Sequence, residues 1–174
     1  MKNRTLLLFA ILITTSSCGY KVVGWSSDTY KTMTISPVKG NGPETGRVTT
    51  RLRDALIQRC LSASGFTPVD GPGDLMLETN LQQYAENVVA TDVDGRTLRV
   101  QFSLRASFTL RDKTGKELWK LPNYRYSDQY NISTGRDVYR DEAVFIQDNA
   151  LHSIADLVMA NITLAIDELE GSDE

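Results

Sequence analysis

Residues 98–111 read Leu98-Arg99-Val100-Gln101-Phe102-Ser103-Leu104-Arg105-Ala106-Ser107-Phe108-Thr109-Leu110-Arg111. Apolar and polar side chains alternate without a break. Period two over this length predicts a β-strand with one buried and one polar face. At about 3.4 Å per residue the strand spans over 40 Å, long for an ordinary domain. The polar face carries arginine, serine, threonine and glutamine, and is left to solvent or a partner.

The flanks extend this strand in both directions. Asp112-Lys113-Thr114-Gly115-Lys116 is a tight turn, and Glu117 to Tyr130 reads as the return strand, with Tyr124, Tyr126 and Tyr130 on one face. Pro122 interrupts it, which favours a sheet edge or a bulge. On the other side, Asp92-Val93-Asp94-Gly95-Arg96 is a hairpin signal. Asp92 and Asp94 superficially suggest a calcium loop. The closing glutamate of such a loop falls on Ser103, so the stretch reads as a plain turn. Before it, Leu75, Leu77, Thr79, Leu81 and Gln83 alternate with Met76, Glu78, Asn80 and Gln82, a strand ending between Tyr84 and Val89.

Further out, Lys31 to Val38 alternates and ends near Pro37, a short strand. A helix is predicted from Thr45 to Ser64. Val48, Leu52, Ala55, Leu56, Arg59, Cys60 and Ala63 recur at spacings of three and four. Gly65 is its natural stop. After a polar loop over 131–139, a second helix runs from Asp141 to Leu169 with Val144, Gln147, Leu151, Ile154, Val158, Ile162, Ala165 and Leu169 in step. The order strand, helix, three strands, helix predicts an α+β fold. It is a two-layer sandwich, with two helices packed on one face of a roughly four-stranded mixed sheet. The chain divides into a signal segment over 1–17, a tether over 18–30, one domain over 31–170 and an acidic tail over 171–174.

Composition bounds the function. With 174 residues, 41% hydrophobic and 24% charged, the chain has an ordinary globular make-up. A net charge of −3 lacks the basic excess usual for nucleic-acid binding. His152 is the only histidine and Cys18 and Cys60 the only cysteines. That leaves a poor supply for a metal site or a nucleophile–base pair, and there is no G-x-S-x-G elbow. A carboxylate-pair hydrolase is the enzyme alternative that spacing does not address. No catalytic residue, metal ligand or cofactor is assigned. Cys60 falls at helical spacing with Leu52 and Leu56 and reads as a small buried apolar residue.

The first twenty residues are an address. Lys2 and Arg4 precede the apolar run Leu6 to Ile13, which is too short to span a bilayer. Thr14-Thr15-Ser16-Ser17 then leads into Cys18. A basic head, a short apolar run and small residues make a cleaved secretory signal. The cysteine placed there resembles the bacterial lipoprotein signal, although Thr15 stands where such signals usually carry leucine. The alternative is an ordinary signal with an incidental cysteine. The resemblance implies that Cys18 is lipidated and becomes the first mature residue. Several acyl chains, at about 0.8 kcal/mol per buried CH₂, make a permanent anchor. Gly19 rather than aspartate after the cysteine implies an outer-membrane destination. The mature part keeps 17 basic and 22 acidic side chains, a net of −5.

Several stretches then line up together: Cys18-Gly19-Tyr20 with Gly24, the strand Thr34-Ile35-Ser36-Pro37, the helix with Arg51-Leu52-Arg53-Asp54-Ala55-Leu56, and Asp74-Leu75-Met76-Leu77-Glu78. With the hairpin Arg99 to Trp119 and the closing amphipathic helix, this layout resembles the lipopolysaccharide-assembly lipoprotein family, LptE. The resemblance implies a non-enzymatic plug inside a large outer-membrane β-barrel, the translocon protein LptD, assisting lipopolysaccharide passage to the outer leaflet. An accessory lipoprotein of another envelope lipid-transport or barrel-assembly complex is the alternative. A ligand rich in phosphates and carboxylates favours cations near the hairpin ends. The candidates are Arg96, Arg99, Lys113 and Lys116; ordinary solvated charges beside turns are the competing reading.

Overall fold

The computed structural model describes residues 27, 29–40, 45–63, 65–132 and 136–172, without the side chains of 63 and 136–142. Strands β1 (Thr32–Ile35) and β2 (Lys39–Gly40) precede helix α1 (Thr45–Ala63). Strands β3 (Thr67–Val69), β4 (Leu75–Thr91), β5 (Thr97–Asp112) and β6 (Glu117–Asn131) follow, and helix α2 (Arg136–Gly171) closes the chain. The fold is α+β, two helices and an open mixed sheet. The sheet has six strands rather than roughly four, in the order β3-β1-β4-β5-β6 with β2 also paired to β4. The two extra strands are two and three residues long, too short to leave a period in the sequence.

β1 runs parallel to both β3 and β4, as a strand–helix–strand crossover requires. The long hairpins β4–β5 and β5–β6 are antiparallel. β6 is an outer strand, and its register with β5 jumps between Ala106–Tyr124 and Phe108–Leu121. That places one extra residue at Pro122-Asn123, so the proline sits in an edge bulge where no ladder donor is lost.

β4 departs from the expected alternation. Leu75, Leu77, Thr79 and Leu81 are buried beneath the helices. The register then slips between Leu81 and Gln83, leaving Gln82 as an extra residue. After the slip, Tyr84 lies opposite Leu104 and Gln83 lies opposite Arg105. Gln83, expected on the same face as Leu81, therefore joins the polar face, and Tyr84 turns towards the helices. A single inserted residue changes which side of the sheet every later side chain occupies.

The core lies between the sheet and the two helices. Met33, Leu52, Leu56, Leu77, Phe108, Leu110, Ile154 and Ile162 are all fully buried there. α2 passes the length and hydropathy test for a membrane span over Ala143–Gly171, but its central stripe is covered. Leu151, Ile154, Val158 and Ile162 are buried as the spacing predicts. At the ends the stripe drifts. Val144 is exposed, and Ile166 rather than Ala165 is fully buried, because 3.6-residue periodicity precesses over a helix this long. Leu98, expected on the buried face of β5, is 40% exposed, so burial along that face begins at Val100. Gly65 adopts a positive φ just after α1, the left-handed stop that glycine allows.

The two helices are joined by ion pairs, Arg51–Asp148 and Arg59–Asp156. Arg51 also donates to the Gln147 side chain (3.1 Å) and to the Val144 carbonyl (3.0 Å). Gln147 in turn donates to Glu86 of β4 (2.8 Å), which also accepts from the hydroxyls of Tyr84 and Tyr130. Burial, reinforced by that bond to Glu86, pushes the Tyr84 phenol well above its ordinary value. Ser27 is buried, and both its hydroxyl (2.5 Å) and the Thr29 amide (3.0 Å) donate to the Glu170 carboxylate. The last residues before β1 are thereby held against the end of α2.

Candidate functional site: hairpin ends and open sheet face

Two turns of matching design cap the long hairpins. In Asp92-Val93-Asp94-Gly95-Arg96 the Asp92 carboxylate accepts from the amides of Asp94 (2.9 Å) and Arg96 (2.8 Å). In Asp112-Lys113-Thr114-Gly115-Lys116 the Asp112 carboxylate accepts from the amides of Thr114 (2.8 Å) and Lys116 (3.0 Å) and from the Thr114 hydroxyl. Gly95 and Gly115 take the positive φ that closes each turn. The Thr114 hydroxyl, helped by the two amides, holds the Asp112 carboxyl below its ordinary value. Asp92 faces its own backbone, which accounts for the aspartate without a cation. Among the described residues no cluster of three or more metal-ligating side chains exists.

These turns carry the four cations singled out from the sequence. Arg96 and Arg99 lie by the β4–β5 turn, and Arg99 donates to the Asn131 side chain (3.1 Å). Lys113 and Lys116 are exposed on the β5–β6 turn. Most of β5 (Thr97–Asp112) separates the two pairs, about 45 Å of strand between Arg99 and Lys113. The structure brings Arg96 near Arg99 and Lys113 near Lys116, and does not bring the pairs together. Near the first pair, Val88, Val89, Val93 and Leu98 are exposed apolar side chains. Cys18 lies outside the described residues.

Between the two ends runs the open face of the sheet. Register sets its rows: Ala85–Ser103–Ser127, Gln83–Arg105–Arg125, and then Asn80–Ser107. Arg105 and Arg125 stand directly opposite one another on neighbouring strands. The sequence already places Arg105 on this face. Its pairing with Arg125 and Gln83 is hidden by the two bulges, since each shifts strand parity by one. The other side of β5 is aromatic: Phe102 stacks on Tyr126 (centroids 5.9 Å apart) and Phe108 meets Tyr124 edge-on (6.3 Å).

The two remaining reactive candidates lie on the helices, away from the open sheet face. Cys60 is 1% exposed, and its thiol approaches the Phe66 carbonyl at 3.7 Å. His152 is exposed on α2, between the buried Leu151 and Ile154.

A model of the lipopolysaccharide-assembly family, LptE, matches residues 30–167, the whole folded body. The chain belongs to the LptE family. This is a family of lipopolysaccharide assembly, described as non-enzymatic. No match was found among the curated proteins. Solved structures share the fold. The solution structure of an uncharacterized lipoprotein B from Nitrosomonas europaea aligns with a TM-score of 0.54 and 13% identity, covering 86% of this chain and 96% of its own. A Xanthomonas campestris crystal structure aligns at 0.59 and 9% identity, covering 87% and 93%. At such identities the likeness speaks for the fold alone.

Proposed function

We propose that this LptE-family chain is an outer-membrane lipoprotein, anchored by lipid on Cys18 at the periplasmic side. It sits as plug and assembly partner in an LptD-like β-barrel and assists lipopolysaccharide passage to the outer leaflet. The observation that carries the reading is the family match across the folded body. Two physical features support it. A barrel lumen of this kind is polar and wet, and the open sheet face offers arginine, serine, glutamine and asparagine over three long strands. The helices cover only the opposite face, so a polar surface is left for a wall to meet. Gly19 after the cysteine supports the outer-membrane destination. Arg96 and Arg99 at one end, and Lys113 and Lys116 at the other, are proposed contacts for separate anionic groups of ligand or partner. They do not converge on one phosphate.

The test is co-purification. The full-length chain carries a C-terminal tag in its own host, the membranes are extracted in mild detergent, and stoichiometric partners are identified by mass spectrometry. The expected result is one large β-barrel protein at a one-to-one ratio, with mass on the N-terminal peptide showing acylated Cys18. Recovery alone sinks the plug reading. Recovery with permease and shuttle subunits also sinks it, in favour of a lipid-transport accessory.

A further inference from the structure

Among the described residues, the arginines that face the helix layer or the lower hairpin have partners. Arg51 pairs with Asp148, Arg59 with Asp156, and Arg111 with both Glu78 and Glu117, while Arg53 donates to the Ile35 carbonyl at 3.2 Å. The Arg105–Arg125 pair differs from these. The two are direct cross-strand partners, a placement in which like charges repel. Among the described residues neither guanidinium makes a hydrogen bond or an ion pair. The Arg105 Nε–H is closed off from solvent and unbonded. An acidic chain, net −3, thus keeps two uncompensated cations side by side. From the Asn80–Ser107 row to the Ala90–Arg99–Asn131 row, the register puts no carboxylate on this face.

The pair borders a shallow cavity of about 290 Å³, shared with Gln83, Ser103 and Ser127. The Ser127 hydroxyl accepts from the Gln101 amide at 2.8 Å, which leaves its proton free to be donated. We propose that Arg105 and Arg125 form a binding site for a phosphate-type dianion on the open sheet face, with Ser103, Ser127 and Gln83 as neutral donors. Charge matching selects the ligand. A phosphate monoester carries about −1.5 to −2 at neutral pH and accepts through three terminal oxygens, against two guanidinium forks built for bidentate oxyanion contact. A single carboxylate leaves one of the two charges unbalanced. The site deepens the assembly reading, on which it rests only for the source of the phosphate, a phosphorylated lipid headgroup or the free ion.

The experiment uses the full-length chain in non-ionic detergent micelles at fixed ionic strength. Inorganic phosphate is titrated by ³¹P line broadening and by the rise in Tm that it causes. Saturable binding is expected, with Arg105→Gln and Arg125→Gln each weakening it about tenfold, the scale of one charged hydrogen-bond pair. Phosphate should raise the Tm of the native chain, and either variant should need about tenfold more phosphate for the same rise. Lys120→Gln, on the same face but paired with Glu117, should bind phosphate as the native chain does. Phosphatidic acid doped into the micelles tests the source. Displacement of free phosphate assigns the site to a lipid headgroup, and failure to displace assigns it to the soluble ion. Phosphate binding indifferent to both arginine substitutions overturns the proposal. So does acetate competing as well as phosphate, which gives the site to a protein carboxylate. Neither result touches the co-purification test, whose readout is the barrel itself.

Discussion

Asp74 shows how one side chain organises the start of the sheet. Its carboxylate accepts from the Lys31 amide (3.1 Å), the Thr32 amide (3.0 Å) and the Thr32 hydroxyl (2.9 Å), while its own amide donates back to that hydroxyl. Gly73 beside it is closely packed, since a Cβ there would lie a tight 3.1 Å from the Thr34 backbone nitrogen. The Lys31 amide, then the Thr32 hydroxyl and amide, hold the Asp74 carboxyl below its ordinary value of 3.8. A depressed carboxylate stabilises the fold fully above its unfolded value and ceases to do so as pH falls through the folded one. Asp74→Asn is therefore expected to be less stable than the native chain at neutral pH, with the gap closing as pH drops below 3.8. Urea unfolding across that range checks it, and a pH-independent gap contradicts it. From sequence alone Asp74 is only part of a Gly-Pro-Gly-Asp turn. Its partners lie 42 and 43 residues away, a distance no local pattern reports.

At the scale of elements, what was legible depended on period and length. β5 and α1 declare themselves because their alternation and their three-four spacing are unbroken. β4 reads correctly only as far as Leu81, because a bulge leaves no compositional mark. β2 and β3 are held by neighbours, not by propensity. The candidate site follows the same rule: charge and turn signals nominate the four turn cations, whereas the Arg105–Arg125 pairing is set by the register. Arg51 reaches from α1 to α2 and joins the Gln147–Glu86 network. Both ends of its ion pair keep solvent contact, with side chains 27% and 44% exposed. A double-mutant cycle on Arg51 and Asp148 should accordingly return about 0.5–1 kcal/mol. By contrast Ile154, fully buried beneath the sheet, should cost about 2–5 kcal/mol when cut to alanine. Chemical denaturation ranks the two, and the reverse order would contradict the view that apolar contact between the layers dominates.

The whole molecule is asymmetric. One face of the sheet is sealed by helices, and the other is a polar surface with arginine at its centre. An open sheet also ends somewhere, and here both outer strands contain proline, Pro68 in β3 and Pro122 in β6. An unprotected border of unpaired amides invites a second copy to add on, strand to strand, and the hazard grows when molecules are crowded onto a surface. β3 offers only three residues, and the kink at Pro122-Asn123 breaks the long border of β6 into two short runs. Replacing Pro122 with valine and deleting Asn123 should straighten that border. Light scattering should then find concentration-dependent oligomers where the native chain stays dispersed. The proline that looks like a flaw in the return strand would thus be the reason that neighbouring molecules do not knit into a fibre.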